Sequence, residues 1–324
     1  MRWITVIWLV LSLSACKDAR KLIQTDSIGR PYEVLVVCDD SMQTNRVRSV
    51  LETPVEGLPQ QEPAFDVSTT SWTLFKGPIS RTRNLVLVEI TGKGATSTIR
   101  IGKDVYASPQ TVIYITTPTA KQLEADLAAM GKAIRLLLQK NECRNAIGRL
   151  KEKHNPKAEK LIKEMFGVDM LIPADMTSWK TGQDFLWLSN NSPTAMQNIC
   201  LYLYNNRTPV HQNKQRWTEV RDSVMKANIH GEQPGMHMTT AQAELTTYPL
   251  LNDTTYCLRG LWEMTGDMMG GPFVSISCGL SNPTESIGSG KQVVAEAFVF
   301  APSQKKRNLV RQLEAVLQTL SSRN

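Results

Sequence analysis

Apolar positions along the chain fall into two kinds of pattern. Short continuous or alternating runs such as "EVLVV" (33–37), "NLVLVEI" (84–90) and "TVIYIT" (111–116) predict strands. The spacing of Leu123, Leu127, Met130 and Ile134 predicts a helix with one core-facing stripe. In the first half, strands are expected near 32–38, 65–73, 84–90 and 111–116. In the second they are expected near 185–189, 199–204, 236–247, 256–264, 273–278 and 293–300. Between the halves, residues 142–166 read as helical. Asn155-Pro156 breaks the segment, because proline lacks a donor and suits a first turn, and Gly167 ends it.

The pattern repeats. "RSVLETPVEG" (48–57) and "DSVMKANIHG" (222–231) align without a gap at an offset of 174, so that Ser49, Val50, Leu51, Val55 and Gly57 match Ser223, Val224, Met225, Ile229 and Gly231. Each half ends on an apolar strand, a proline, a cap and an amphipathic helix. The cap is a threonine in one and Ser303 in the other, and Leu123, Leu127, Met130 and Ile134 correspond to Leu309, Leu313, Val316 and Leu320. The expected fold is α+β. It has two related halves, 31–167 and 168–324, each a mostly antiparallel sheet with helices packed on one face.

The first residues are of another kind. Met1-Arg2 is a short positive segment, and Trp3 to Leu13 is apolar except for Thr5 and Ser12. That run is shorter than the about 20 residues a membrane-spanning helix needs, and it fits a secretory signal over 1–15. Leu13-Ser14-Ala15-Cys16 resembles a bacterial lipobox. By that resemblance Cys16 takes a diacylglycerol and becomes the acylated first residue, and 16–30 is a lipidated tether. The acyl chains make the lipid bilayer the first expected partner. Lys17 stands where an aspartate would retain such a protein at the inner membrane, and no acidic run follows Cys16. The expected address is the outer membrane, facing the periplasm.

Composition adds little. The 324 residues are 41% hydrophobic and 21% charged, enough for a sizeable core, with a net charge of +7. Ten Lys or Arg and four acids lie between Lys132 and Glu164, so one helical region carries most of the excess. It reads as a solvated helix face, or as a surface that meets lipid headgroups. No nucleic-acid module is present. Beyond Cys16 five cysteines remain, an odd number that leaves at least one free thiol. If residues 255–264 and 273–280 form a hairpin, Cys257 and Cys278 fall nearly opposite each other and are the candidate disulfide. No Cys/His spacing marks a metal site, and no cofactor motif appears.

The hairpin "CLRGLWEMTGDMMGGPF" (257–273), the lipobox and the start "GRPYEVLVV" (29–37) resemble the Bacteroidota envelope lipoproteins grouped as domain of unknown function family 4837. The resemblance covers almost the whole chain after Cys16. It implies an exported lipoprotein and carries over no catalytic residue. Bacteroidota also attach O-glycans at Asp-Ser/Thr followed by an apolar residue or threonine. By that resemblance Ser27 and Thr254 are acceptors.

Candidate chemistry is sparse. Asp39, Asp40 and Ser41 end a strand, where caps and sites both form, but Gln43 breaks the Asp-x-Ser-x-Ser metal pattern. Glu263 and Asp267 are a second carboxylate pair. His230 and His237 flank a loop, and Ser277 has no assignable base. Trp262, Met268, Met269, Gly270, Gly271 and Phe273 read as a partner-binding hairpin with a soft apolar tip. The expected function is therefore a non-enzymatic binding or accessory module that contacts an envelope protein or glycan. The rival is an envelope hydrolase acting on glycan or peptide, which needs two of the four carboxylates in one pocket.

Overall fold

The computed structural model describes residues 25–205, 208–247, 256–280 and 291–322. The expected signal 1–15, Cys16 and Thr254 lie outside the described residues. The chain is α+β, as two units in sequence.

The first unit contains β1 (Glu33–Val37), α1 (Ser41–Leu51), β2 (Asp66–Thr70), β3 (Asn84–Ile90), β4 (Thr98–Lys103), β5 (Thr111–Thr117) and α2 (Ala120–Glu152). Its sheet runs β2-β1-β3-β5-β4. Here the expectation of a mostly antiparallel sheet fails: β2, β1, β3 and β5 are parallel, and only β4 runs the other way. The reason is in the strands themselves. β1, β3 and β5 are buried on both faces and read as near-continuous apolar runs, which is how parallel strands differ from half-exposed antiparallel ones. One face packs Val34, Val36, Val86 and Ile113 against Val47 and Leu51 of α1 and Leu123, Leu127 and Ile134 of α2. On the other face, loop residues Trp72, Phe75 and Ile79 cover Leu35, Val37, Leu85 and Leu87.

The second unit contains α3 (Pro156–Phe166), β6 (Val168–Asp169), β7 (Ser178–Gly182), β8 (Phe185–Ser189), β9 (Met196–Asn205), α4 (Lys214–Asn228), β10 (Met238–Thr247), β11 (Tyr256–Met264), β12 (Gly270–Gly279), β13 (Lys291–Phe300), α5 (Arg307–Leu317) and β14 (Ser321–Ser322). Its seven-stranded antiparallel sheet runs β10-β11-β12-β13-β9-β8-β7. Helices cover both faces rather than one. Ile162 of α3 and Leu313 and Val316 of α5 pack with Leu186, Ile199, Val274 and Val293. Trp217 and Met225 of α4 pack with Tyr202, Leu258 and Phe273 on the opposite side. The boundary expected at 167 also moves, since the buried face of α3 (Ala158, Ile162, Phe166) belongs to the second core. Asn155 caps α3 through Ala158, and Gly167 closes it at φ +70°.

The two units are not copies. Their sheets differ in strand order and direction. The aligned segments reflect a local rule: an apolar strand followed by an amphipathic helix is what any sheet-packed element shows. The edge strands β4 and β7 were missed for a related reason. "TIRIGK" and "SWKTG" are largely exposed, so burial imposes no apolar run on them. Ser303, expected as the cap of the last helix, lies at φ +61° ahead of α5, which has no cap from its own neighbours.

Candidate functional site

The hairpin expected from the sequence is β11 and β12. Gly266 turns it at φ +77°, and the Met264 N–H donates to the Met269 carbonyl at 2.9 Å. Gly271 lies opposite Trp262. A Cβ there would stand 2.0 Å from the Val299 carbonyl oxygen, so only glycine fits. Trp262 reaches over the space this leaves on β12, and its indole N–H donates to that same carbonyl on β13 at 3.3 Å. The tandem glycines are therefore structural: they seat a tryptophan.

Around that tryptophan opens a groove of about 290 Å³. Its floor is Trp187 of β8, Met196 and Asn198 of β9, Trp262 of β11, and Phe298 and Phe300 of β13. Trp262 meets Phe298 edge-on at 5.5 Å. One wall is the turn after α4, with His230 and Glu232, and the other is the hairpin tip, with Asp267 and Met269. Beyond the groove, Met268 is fully exposed at the tip. Of the six expected contact residues, Trp262 and Met269 line the groove and Met268 stands beside it. Phe273 does not belong there. It is fully buried under α4, where the Arg221 guanidinium sits 3.9 Å above its ring.

The two carboxylate pairs lie in different units and do not meet; Asp39 and Asp40 share a cleft, while Asp267 lines the groove without Glu263. Asp39 and Asp40 lie in the first unit, in a cleft of about 470 Å³ at the carboxyl ends of β1 and β3, with Trp72 and Glu89. Both are occupied. Asp39 accepts from the Trp72 N–H at 2.9 Å, and Asp40 caps α1 by accepting from Met42 and Gln43. Glu263 and Asp267 are exposed in the second unit, and Asp267 accepts from the Met268 N–H at 2.6 Å.

A family model described as Domain of unknown function (DUF4837) matches residues 155–319. That stretch is just over half of the chain's 324 residues. The chain belongs to the DUF4837 family. A different model, Domain of unknown function (DUF8532), matches residues 27–151. The DUF4837 region is thus the second unit, groove included, and not almost the whole chain as the resemblance implied. A search of the curated proteins gave no match. Among solved structures the chain is similar to cyanobacterial PsbP (CyanoP) from Synechocystis sp. PCC 6803, determined in solution. The two are 10% identical, the match covers 48% of this chain and 87% of that one, and the TM-score is 0.26.

Other expected sites in the DUF4837 unit also resolve. Cys257 faces Ile276, and Cys278 pairs with Val293, so the register sets the two cysteines two residues apart along the hairpin. Both are free thiols, which overturns the expected disulfide. His230 and His237 form an isolated antiparallel bridge, and the His237 ring sits 2.9 Å from the Gly235 carbonyl. Among the described residues, no three His, Cys, Asp or Glu gather where a metal would fit.

Two further features bear on attachment. Ser27 is half-buried, and its N–H donates to the Ser108 carbonyl at 3.1 Å. The end of the expected tether, 25–28, is therefore docked on the first unit through bridges at Asp26 and Ile28. The basic excess is exposed along α2 at Lys132, Arg144 and Arg149, just after it at Lys153, and along α3 at Lys157 and Lys160. No described helix is long and apolar enough to cross a membrane.

Sequence reasoning missed Trp187, Met196, Asn198, Phe298 and Phe300 as site residues. Their strands read as core, which they are. Only the sheet order brings β8, β9, β11 and β13 to one end of one face.

Proposed function

We propose that this DUF4837 protein is a membrane-anchored envelope lipoprotein whose second unit is a non-enzymatic binding module. Its contact surface is the aromatic and methionine groove beside the hairpin tip. The single observation that carries the binding part is the convergence of Trp187, Trp262, Phe298, Phe300, Met196 and Met269 on one open groove. Large apolar side chains around a few placed polar groups are the usual make-up of a recognition site, and methionine suits a surface that adapts to its partner. The anchoring part rests on the lipobox Leu13-Ser14-Ala15-Cys16. The exposed basic residues of α2 and α3 support a bilayer close by, at about 1 kcal/mol for each Lys or Arg that comes near anionic lipid. The outer membrane, facing the periplasm, follows from Lys17 and from the lack of an acidic run after Cys16.

Two measurements test this reading. Metabolic labelling with an alkyne fatty acid should mark the wild type and not Cys16→Ala; an unmarked wild type removes the anchor. A photo-crosslinker placed at Met268 should capture a defined envelope component in intact cells, and one placed at exposed Lys76, in the first unit, should not. Equal capture at both sites, or none at Met268, removes the groove as the contact surface.

A further inference from the structure

The groove holds one polar side chain whose hydrogen-bonding capacity is half used. Asn198 is fully buried on β9, directly opposite Phe298. Its Oδ1 accepts from the Trp187 indole N–H at 3.0 Å, while its Nδ2 has no partner. The two ends of the amide cannot exchange roles. An indole nitrogen only donates, so the oxygen must face it and the NH2 group is left over. Buried polar groups are almost always paired, and one that is not marks a function, an ion or a water.

The surroundings select the acceptor that would meet it. Trp187 and Phe298 lie ring to ring at 6.4 Å, and Trp262 closes on Phe298 from the other side. These rings pack on one another as an aromatic floor, and the groove of about 290 Å³ above them has room for a flat or branched apolar group. The rim carries Glu232 and Asp267, and no Lys or Arg is among the described lining residues. A carboxylate or phosphate would meet like charge there, whereas a neutral carbonyl oxygen would not. A sugar needs polar partners around its whole ring, whereas here, among the described residues, Asn198 is the single polar group on the aromatic floor and His230, Glu232 and Asp267 stand on the walls.

We propose that the groove binds a peptide segment of a partner protein through one aromatic or branched aliphatic side chain. A carbonyl oxygen next to that side chain accepts from Asn198 Nδ2, and a flanking Lys or Arg pairs with Glu232 or Asp267. This rests on the binding-module reading above and gives it a ligand class. Asn198 is closed from water, so a side chain lining the groove must move to admit the ligand, and the lining includes Met196, Met238, Met264 and Met269. Three rotatable bonds and a polarisable sulfur make that movement cheap.

The test uses two probes with the same ring on the purified full-length chain in detergent micelles. N-acetyl-L-tryptophanamide carries carbonyls; 3-methylindole does not. The first should bind at least about tenfold tighter and shift the Asn198 side-chain NH2 and Trp187 indole resonances. Asn198→Asp keeps an acceptor for Trp187 and removes the donor, so the two probes should become equal. Asn198→Leu gives a near-isosteric second variant with the same expectation if the aspartate form does not fold. N-acetyl-Lys-Trp-amide should outbind N-acetyl-Glu-Trp-amide, and Glu232→Gln with Asp267→Asn should abolish that preference. Equal binding of both probes to the wild type overturns the Asn198 assignment and leaves the binding module standing. Binding only of decanoate or of an N-acetylglucosamine oligomer overturns the peptide class. Failure of every probe overturns this proposal, and the module reading is then judged by crosslinking at Met268.

Discussion

The carboxylate of Glu62 closes the start of α5, accepting from the backbone N–H of Arg307 at 2.9 Å across 245 positions of sequence. Its other oxygen accepts from the Lys306 N–H at 2.7 Å. A helix start leaves N–H groups without partners, and a carboxylate there also meets the positive end of the helix dipole. Here the cap comes from the other unit. Arg307 returns the contact, with its guanidinium on the Pro63 carbonyl at 2.7 Å and on Asp66 at 2.6 Å.

Glu62→Ala should therefore loosen the joint between the units. The expected loss is about 2 kcal/mol, from a lost cap and two buried donors. Urea unfolding followed by circular dichroism measures it. Glu56→Ala, at an exposed position, is the control and should change nothing. Equal effects of the two would mean that the cap is not what stabilises α5.

Acid should open the same region. Burial alone would raise the Glu314 carboxyl, but the charges and hydrogen bonds of Arg259 and Arg311 outweigh it and hold it below its usual range. At Asp66 burial is likewise outweighed, by Arg307 and Lys305. A carboxyl lowered in the folded state adds its full stability above its unfolded pKa, about 4, and loses it as pH falls through the folded value. Urea midpoints should be flat from about pH 7 to 5 and fall below about pH 4. Glu314→Gln should cost about 3–5 kcal/mol at neutral pH, because it leaves two buried arginines short of charge, and should flatten the acid slope. A variant with an unchanged acid slope would assign the titration elsewhere.

The hairpin should tolerate change at its tip and not at Gly260 or Gly271. Gly271→Ala places a Cβ 2.0 Å from the Val299 carbonyl oxygen, and Gly260→Ala places one 1.8 Å from that of Gln242. Both contacts are with backbone, so β10–β13 must shift, at a cost of about 3 kcal/mol or more. Gly279→Ala meets nothing within 4 Å, and Met268→Ser removes a fully exposed side chain; both should melt with the wild type. Thermal melts of the four variants decide it.

Thiol chemistry separates the cysteines. Burial pushes the Cys143 thiol up to about 12, and Cys38, Cys200 and Cys257 are buried as well. Only Cys278, among the described thiols, is partly open. A maleimide at pH 8 should label Cys278 in the native protein and the other four only after unfolding. Reductant should leave gel mobility unchanged. A shift on reduction would restore the disulfide.

The sequence by itself determined most strand positions, the break at Asn155-Pro156, the stop at Gly167 and the cap at Asp40. Each of these depends on neighbours within a few residues: an apolar run, a missing donor, a left-handed turn, a short carboxylate beside free N–H groups. The tertiary structure alone decided strand direction, the faces the helices cover, the cross-unit cap at Glu62 and the groove. Those depend on register and on sheet order. Cys257 and Cys278 miss each other by two residues of register, and Trp187, Asn198 and Phe298 come together only because β8, β9 and β13 lie side by side. A local pattern records whether a residue is buried; it carries no record of which distant residue buries it.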